Sequence, residues 1–120
     1  MPPGTPAPAP ASCRITLEDA AARLPTPEGK RSATLFEHGS LQVKLYAPRG
    51  SDPQTPHGRD EVYVVARGEG WFVGGGRRER CGPQDVLFVA AGVEHRFEDF
   101  SADLAVWVFF YGPEGGEGAA

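Results

Sequence analysis

Residues 52–70 read DPQTPHGRDEVYVVARGEG, and residues 82–100 read GPQDVLFVAAGVEHRFEDF. In each stretch, turns rich in Gly, Pro and Asp flank short runs of β-branched and aromatic residues, the pattern of strands separated by tight turns. Residues two apart on a strand share a face, so Glu61 and Tyr63 point one way, as do His95 and Phe97. His57 ends one segment, and Glu61 opens the next across the Gly58-Arg59-Asp60 turn. Two imidazoles and one carboxylate are the ligand set of facial-triad metal sites, which leave positions open for substrate or oxygen.

The same two-residue period extends outward from these stretches. It predicts strands at about 32–38, 41–47, 54–57, 61–67, 70–73, 77–81, 85–89, 94–99 and 104–111, broken by turns that include Gly39, 48–53, 58–60, 68–70, 74–76, Gly82-Pro83 and 90–92. Many short strands with no helix between them indicate an all-β sandwich or barrel. One helix is expected ahead of them. Thr16 and Asp19 form a capping-box start, Leu17, Ala20, Ala21 and Leu24 make one apolar stripe, and Pro25 ends it. The ends differ in character: residues 1–12 are a Pro/Ala-rich tail expected to be disordered, and 112–120 a Gly-rich tail expected to be flexible. This leaves a single domain over 13–111.

The two quoted stretches resemble the paired motifs of the cupin superfamily, Gly-x5-His-x-His-x3or4-Glu-x6-Gly and Gly-x5-Pro-x-Gly-x2-His-x3-Asn. Glu61-x6-Gly68 anchors the first and places His57 on its second histidine; Gly82, Gly92-x2-His95 and Asp99 carry the second. Three positions depart from the pattern. Thr55 stands where the first histidine belongs, Ala90 where the proline does, and Asp99 replaces the closing asparagine. Sliding the motif so that His57 comes first breaks the Glu61–Gly68 spacing. The resemblance implies an antiparallel jelly-roll β-barrel whose metal site is reduced to His57, Glu61 and His95. One divalent transition metal (Fe, Mn, Zn or Ni) would occupy it, with Gln54 or Thr55 near a water in the vacated place. It also implies a homodimer, formed through strand 32–38 and helix 17–24.

Bulk composition narrows the partners. A chain of 120 residues has room for one domain, and its net charge of −4 argues against nucleic acid or an anionic membrane surface. No apolar run approaches the roughly 18–20 residues of a membrane-spanning helix, and the N-terminus lacks the form of a signal peptide, so a cytoplasmic protein is expected. Cys13 and Cys81 form no CxxC and are read as two reduced thiols. His38 is read as a turn residue, and Arg77–Arg80 as a solvated strand. Two functions fit the residues. One is a metalloenzyme, dioxygenase- or isomerase-like, acting on a small organic molecule with Tyr63 as the catalytic proton donor. The other is a non-catalytic metal- or small-molecule-binding module. For either, Gln54, Thr55, Tyr46, Phe88, Phe97 and Trp107 are the candidate pocket residues.

Overall fold

Among the described residues are eight antiparallel strands and one short helix: α1 (Leu17–Ala21), β1 (Ser32–His38), β2 (Leu41–Tyr46), β3 (Asp60–Arg67), β4 (Gly70–Gly74), β5 (Arg77–Cys81), β6 (Val86–Val89), β7 (His95–Glu98) and β8 (Ala105–Tyr111). The computed structural model describes residues 11–118. Most of the tail expected at 1–12, and the last two residues of 112–120, lie outside them. Within 112–118 the backbone is tied down by hydrogen bonds: Gly112 N donates to Ser40 Oγ, Gly115 N to Gly58 O and Glu117 N to Asp60 Oδ2.

Thr16 caps α1 by accepting from Asp19 N at 3.0 Å, as its hydroxyl predicts. The helix is shorter than its apolar stripe. It ends at Ala21, after which Arg23 N and Leu24 N bond back only three residues, to Ala20 O and Ala21 O. This tighter last turn runs directly into Pro25.

The strands form two sheets, ordered β1-β2-β8-β3-β6 and β5-β4-β7. A closed jelly-roll barrel is not formed: no ladder joins the sheets among the described residues, and a hollow of about 490 Å3 separates the β5 and β6 edges. The reason is visible in β5, which reads RRERC; an edge strand lined with charge resists further pairing. The strand expected at 54–57 is also absent. Pro48, Pro53 and Pro56 remove ladder donors from the segment between β2 and β3, which becomes a loop with one isolated bridge, Arg49 to Ser51.

Register decides which side chains meet. Lys44, Val108, Tyr63 and Leu87 lie in one row across β2, β8, β3 and β6, and Gln42, Phe110, Glu61 and Val89 lie in the next. These rows face the inner side of the smaller sheet, where Phe72 pairs with Phe97 and Gly74 with His95. Between the sheets is the main core: Tyr63, Val65, Phe72, Val89, Phe97, Leu104, Val106, Val108 and Phe110 among others. β8 is apolar on both faces because it is the centre of the larger sheet. Its outward Ala105 and Trp107 join Leu45 and Ala47 under the helix residues Leu17, Ala20 and Ala21.

The motif glycine at the end of β3 has a physical cause. Gly68 turns with φ +80°, and a Cβ there would stand 2.6 Å from Leu104 Cα. Asp99, at φ 47°, ends β7 in the left-handed region, which Asn and Asp tolerate better than other side chains.

Candidate metal centre

Three separate elements converge on one point between the sheets. His57 comes from the β2–β3 loop, Glu61 from β3 and His95 from β7. The loop is fixed by a backbone bond: Gly92 N, in the turn before β7, donates to His57 O at 2.7 Å. That turn uses the left-handed φ of +81° at Gly92, so the glycine of one motif holds the histidine of the other. Glu61 and His95 are 1% and 4% exposed.

His95 Nδ1 donates to Val93 O at 2.9 Å, and this fixes the tautomer with a lone pair on Nε2. Nε2 then faces Glu61 Oε1 at 3.1 Å. Both atoms are fully buried, and neither makes a hydrogen bond of acceptable geometry. Two lone pairs this close in a buried setting repel unless a proton or a cation sits with them, and an orphaned buried pair of this kind requires a cause. His57 completes the group: its ligand atom and those of Glu61 and His95 all lie within 4.8 Å of one another. The residues therefore fit a divalent ion, and two imidazole nitrogens with one carboxylate suit Fe, Mn, Zn or Ni.

Titration follows from the same contacts. Burial pushes the His95 imidazolium down, but the Glu61 carboxylate and the Val93 carbonyl outweigh it, and its pKa ends above the ordinary value. At His57, burial prevails with help from neighbouring His95, and the pKa falls. Tyr63 is pushed up by burial and by the Glu61 charge, and Tyr46 by burial and its bond to Asp52.

Around these three lies a polar network. Tyr63 Oη donates to Gln54 Oε1 at 2.8 Å, and His57 Nε2 is 3.3 Å from the same oxygen. The Gln54 amide nitrogen donates to Asp52 Oδ2 at 2.6 Å. Asp52 is 8% exposed. It also accepts from Tyr46 Oη at 2.5 Å, from Gln54 N at 3.3 Å and, across the sandwich, from Phe97 N at 2.8 Å. This one carboxylate closes the exposed edge of β7, bridges the two sheets and orients the glutamine that touches His57.

A cavity of about 190 Å3 opens beside the centre, lined by Ser32, Lys44, Tyr46, Gln54, His57, Glu61, Tyr63, Val108 and Phe110. Of the expected pocket residues, Tyr46 and Gln54 are therefore here, beside Tyr63, the expected proton donor. Others are not. Thr55 is exposed and outside the cavity lining, because the proline-interrupted loop turns it to solvent. Phe88 is 58% exposed. It pairs with Val62 on the outer face of the larger sheet, one residue out of phase with the inward Leu87 and Val89. Trp107 is outward for the same reason and lies in a groove with Cys13, Ile15, Phe36, Val43 and Phe109. Phe97, 1% exposed, is core, packed against Tyr63 and Phe72 at ring separations of 5.3 Å.

Sequence reading missed Asp52 and Lys44. Asp52 sits in a proline-rich loop, where acids usually face water. Lys44 alternates with Val43 and Leu45, which reads as a strand with one wet face; α1 covers the apolar face instead and turns Lys44 inward. Burial pushes its ammonium down while the Glu61 charge opposes the shift.

Comparison with known proteins agrees with this architecture. The family model described as a cupin domain matches residues 42–111. An uncharacterised protein of Streptomyces coelicolor is 39% identical over 77 residues, 62% of this chain and 73% of its own length. A protein of Bacillus halodurans superposes with a TM-score of 0.70 at 19% identity, covering 92% of this chain and 88% of that one. The DMSP lyase DddQ of Ruegeria pomeroyi superposes with a TM-score of 0.62 at 24% identity, covering 82% of this chain and 55% of that one. At these identities the structural likenesses establish the fold alone. With two cupin motifs, two packed antiparallel sheets and a family match over most of the strands, this chain belongs to the cupin family.

Proposed function

We propose that this cupin holds one divalent transition metal on His57, Glu61 and His95 and acts on a small organic molecule admitted to the adjoining cavity. The observation that carries this reading is the pair of orphaned buried atoms, Glu61 Oε1 and His95 Nε2, 3.1 Å apart with His57 beside them. An ion bound there supplies Lewis acidity or oxygen activation, consistent with isomerase- or dioxygenase-like chemistry.

The chain's own groups divide the remaining work. Asp52 fixes the Gln54 amide, and Gln54 in turn positions Tyr63 Oη and His57 Nε2. Tyr63 stays protonated across the physiological range because its pKa lies above the ordinary phenol value, so it serves as a proton donor rather than a base. Val108 and Phe110 supply an apolar wall that limits water around the ligand. Oxygen uptake and isomerisation assays on the metal-loaded protein, over a panel of small hydroxy and keto compounds, test the enzymatic reading. Turnover that disappears in Tyr63→Phe with metal retained supports it.

One observation favours a binding module instead. The position of the first motif histidine is Thr55, which is exposed, so three protein ligands remain. Ligand-induced melting shifts without turnover across the panel would select that reading. A homodimer is part of the proposal, since β1 is an edge of the larger sheet and an unpaired edge invites a partner; sedimentation equilibrium tests it.

A further inference from the structure

Lys44 is an inward-facing ammonium with no resident counter-ion. It lies in the Val108–Tyr63 row of the larger sheet and lines the cavity shared by His57 and Glu61. Its Nζ stands 6.0 Å from the Phe110 ring centroid. No ion pair among the described residues includes it. The two acids whose charges act on it are otherwise engaged. Glu37 Oε1 accepts from Gln42 Nε2 at 2.8 Å, and a metal on Glu61 would take up that carboxylate.

A second cation reaches the same mouth. Lys44, His57 and Phe110 also line an adjoining hollow of about 330 Å3 together with Gln42, Gly58, Arg59 and Glu114. Arg59 Nε donates to Gly112 O at 3.1 Å, while its Nη2 is buried without a partner. Glu114 lies in this hollow but forms no ion pair with either cation. A buried donor left unpaired is unfavourable, more so when charged, and an anionic ligand would remove that penalty.

We infer that the ligand of this site is a small organic acid, bound as its carboxylate by Lys44 at the cavity wall, with Arg59 at the mouth. The inference rests on the proposed metal site, because it takes the ligand to lie between Lys44 and that centre. Size agrees: about 190 Å3 holds roughly six water volumes at about 30 Å3 each, so the acid has only a few carbon atoms. Arg59, in the wider outer hollow, serves entry and orientation.

The test is calorimetric titration of glycolate and pyruvate, each against its neutral amide, into zinc-loaded and metal-free protein, with zinc content measured on every sample. The expected result is saturable binding of the acids and at least tenfold weaker binding of the amides. Lys44→Met should weaken acid binding at least tenfold while keeping its zinc, and Lys44→Arg should stay within about threefold of the parent. Circular dichroism verifies that each variant is folded, and Lys44→Gln substitutes for Lys44→Met if that variant unfolds. Equal binding of acid and amide, no acid binding, or unaltered binding in a folded Lys44→Met protein overturns the inference. Failure of the metal reading registers separately, as parent protein without zinc, and Lys44 dependence is then judged on the metal-free titrations.

Discussion

Asp52→Asn replaces a buried acceptor with a group of the same shape and the wrong hydrogens. The native carboxylate accepts four hydrogen bonds, from Tyr46 Oη, Gln54 N, Gln54 Nε2 and Phe97 N. An asparagine has one carbonyl oxygen, so its NH2 must face donors on one side: Phe97 N–H and Gln54 Nε2 if it replaces Oδ2, or Gln54 N–H and the Tyr46 hydroxyl, which can turn to accept, if it replaces Oδ1. The second orientation spares the Phe97 N–H, whose residue is 1% exposed, and leaves the Gln54 N–H of the part-buried loop unpaired. A buried N–H left unpaired costs about 1–3 kcal/mol, and the weakened bonds of half-buried Tyr46 and Gln54 add about 1 kcal/mol after they regain water. Loss of a desolvated charge offsets part of this, leaving about 2–3 kcal/mol. For a domain of this size that is a fall in Tm of about 8–15 °C, read by circular dichroism and checked by urea titration. Metal affinity should fall by about 10- to 100-fold as well, because Gln54 is held less firmly against His57. A melting temperature within 2 °C or so of the parent, or full stability with full metal affinity, would refute the claim that this carboxylate joins the sheets and orders the centre.

Other outcomes follow from the same geometry. Phe97→Ala should lose about 3–5 kcal/mol in urea unfolding, as its ring is enclosed by Tyr63 and Phe72. Gly68→Ala forces a side chain at φ +80° against Leu104 backbone, and a loss of about 1–3 kcal/mol should appear in the same titration. The pH dependence of stability should differ with metal, since in the metal-free protein the raised His95 and the lowered His57 oppose one another. His95 has a raised pKa in the folded metal-free protein, so its contribution is complete below the unfolded imidazole value of about 6.5 and is lost as pH rises through the higher folded value. Metal-loaded protein should instead lose stability as pH falls through that range, because ligation needs deprotonated imidazoles. Melting curves of both forms from pH 5 to 8 give the two slopes, and parallel slopes would count against a shared proton at His95.

Much of the fold was readable because its signals are local. Turns such as Gly68-Glu69-Gly70 and Gly74-Gly75-Gly76 punctuate strands whose bounds the two-residue period placed within a residue or two. Failures came where pairing outweighs local pattern. Gln54–His57 has no partner strand, and its prolines leave it a loop. Side-chain direction on β6 and β8 was equally hidden, since Val86–Val89 and Ala105–Tyr111 are apolar at every position and periodicity cannot say which half faces in. Only register against β3 places Phe88 and Trp107 outside. The three candidate ligands were legible through spacing, yet the groups that support them were not. Asp52 acquires its role by reaching Phe97 N, 45 residues away in sequence, and no local feature marks such a contact.

The most direct measurement is metal content by inductively coupled plasma mass spectrometry on anaerobically reconstituted parent protein and on His95→Ala. One ion per chain in the parent, and loss of that ion from a variant that still melts cooperatively, is the result this account predicts. A His95→Ala protein that keeps its full complement of metal would contradict it.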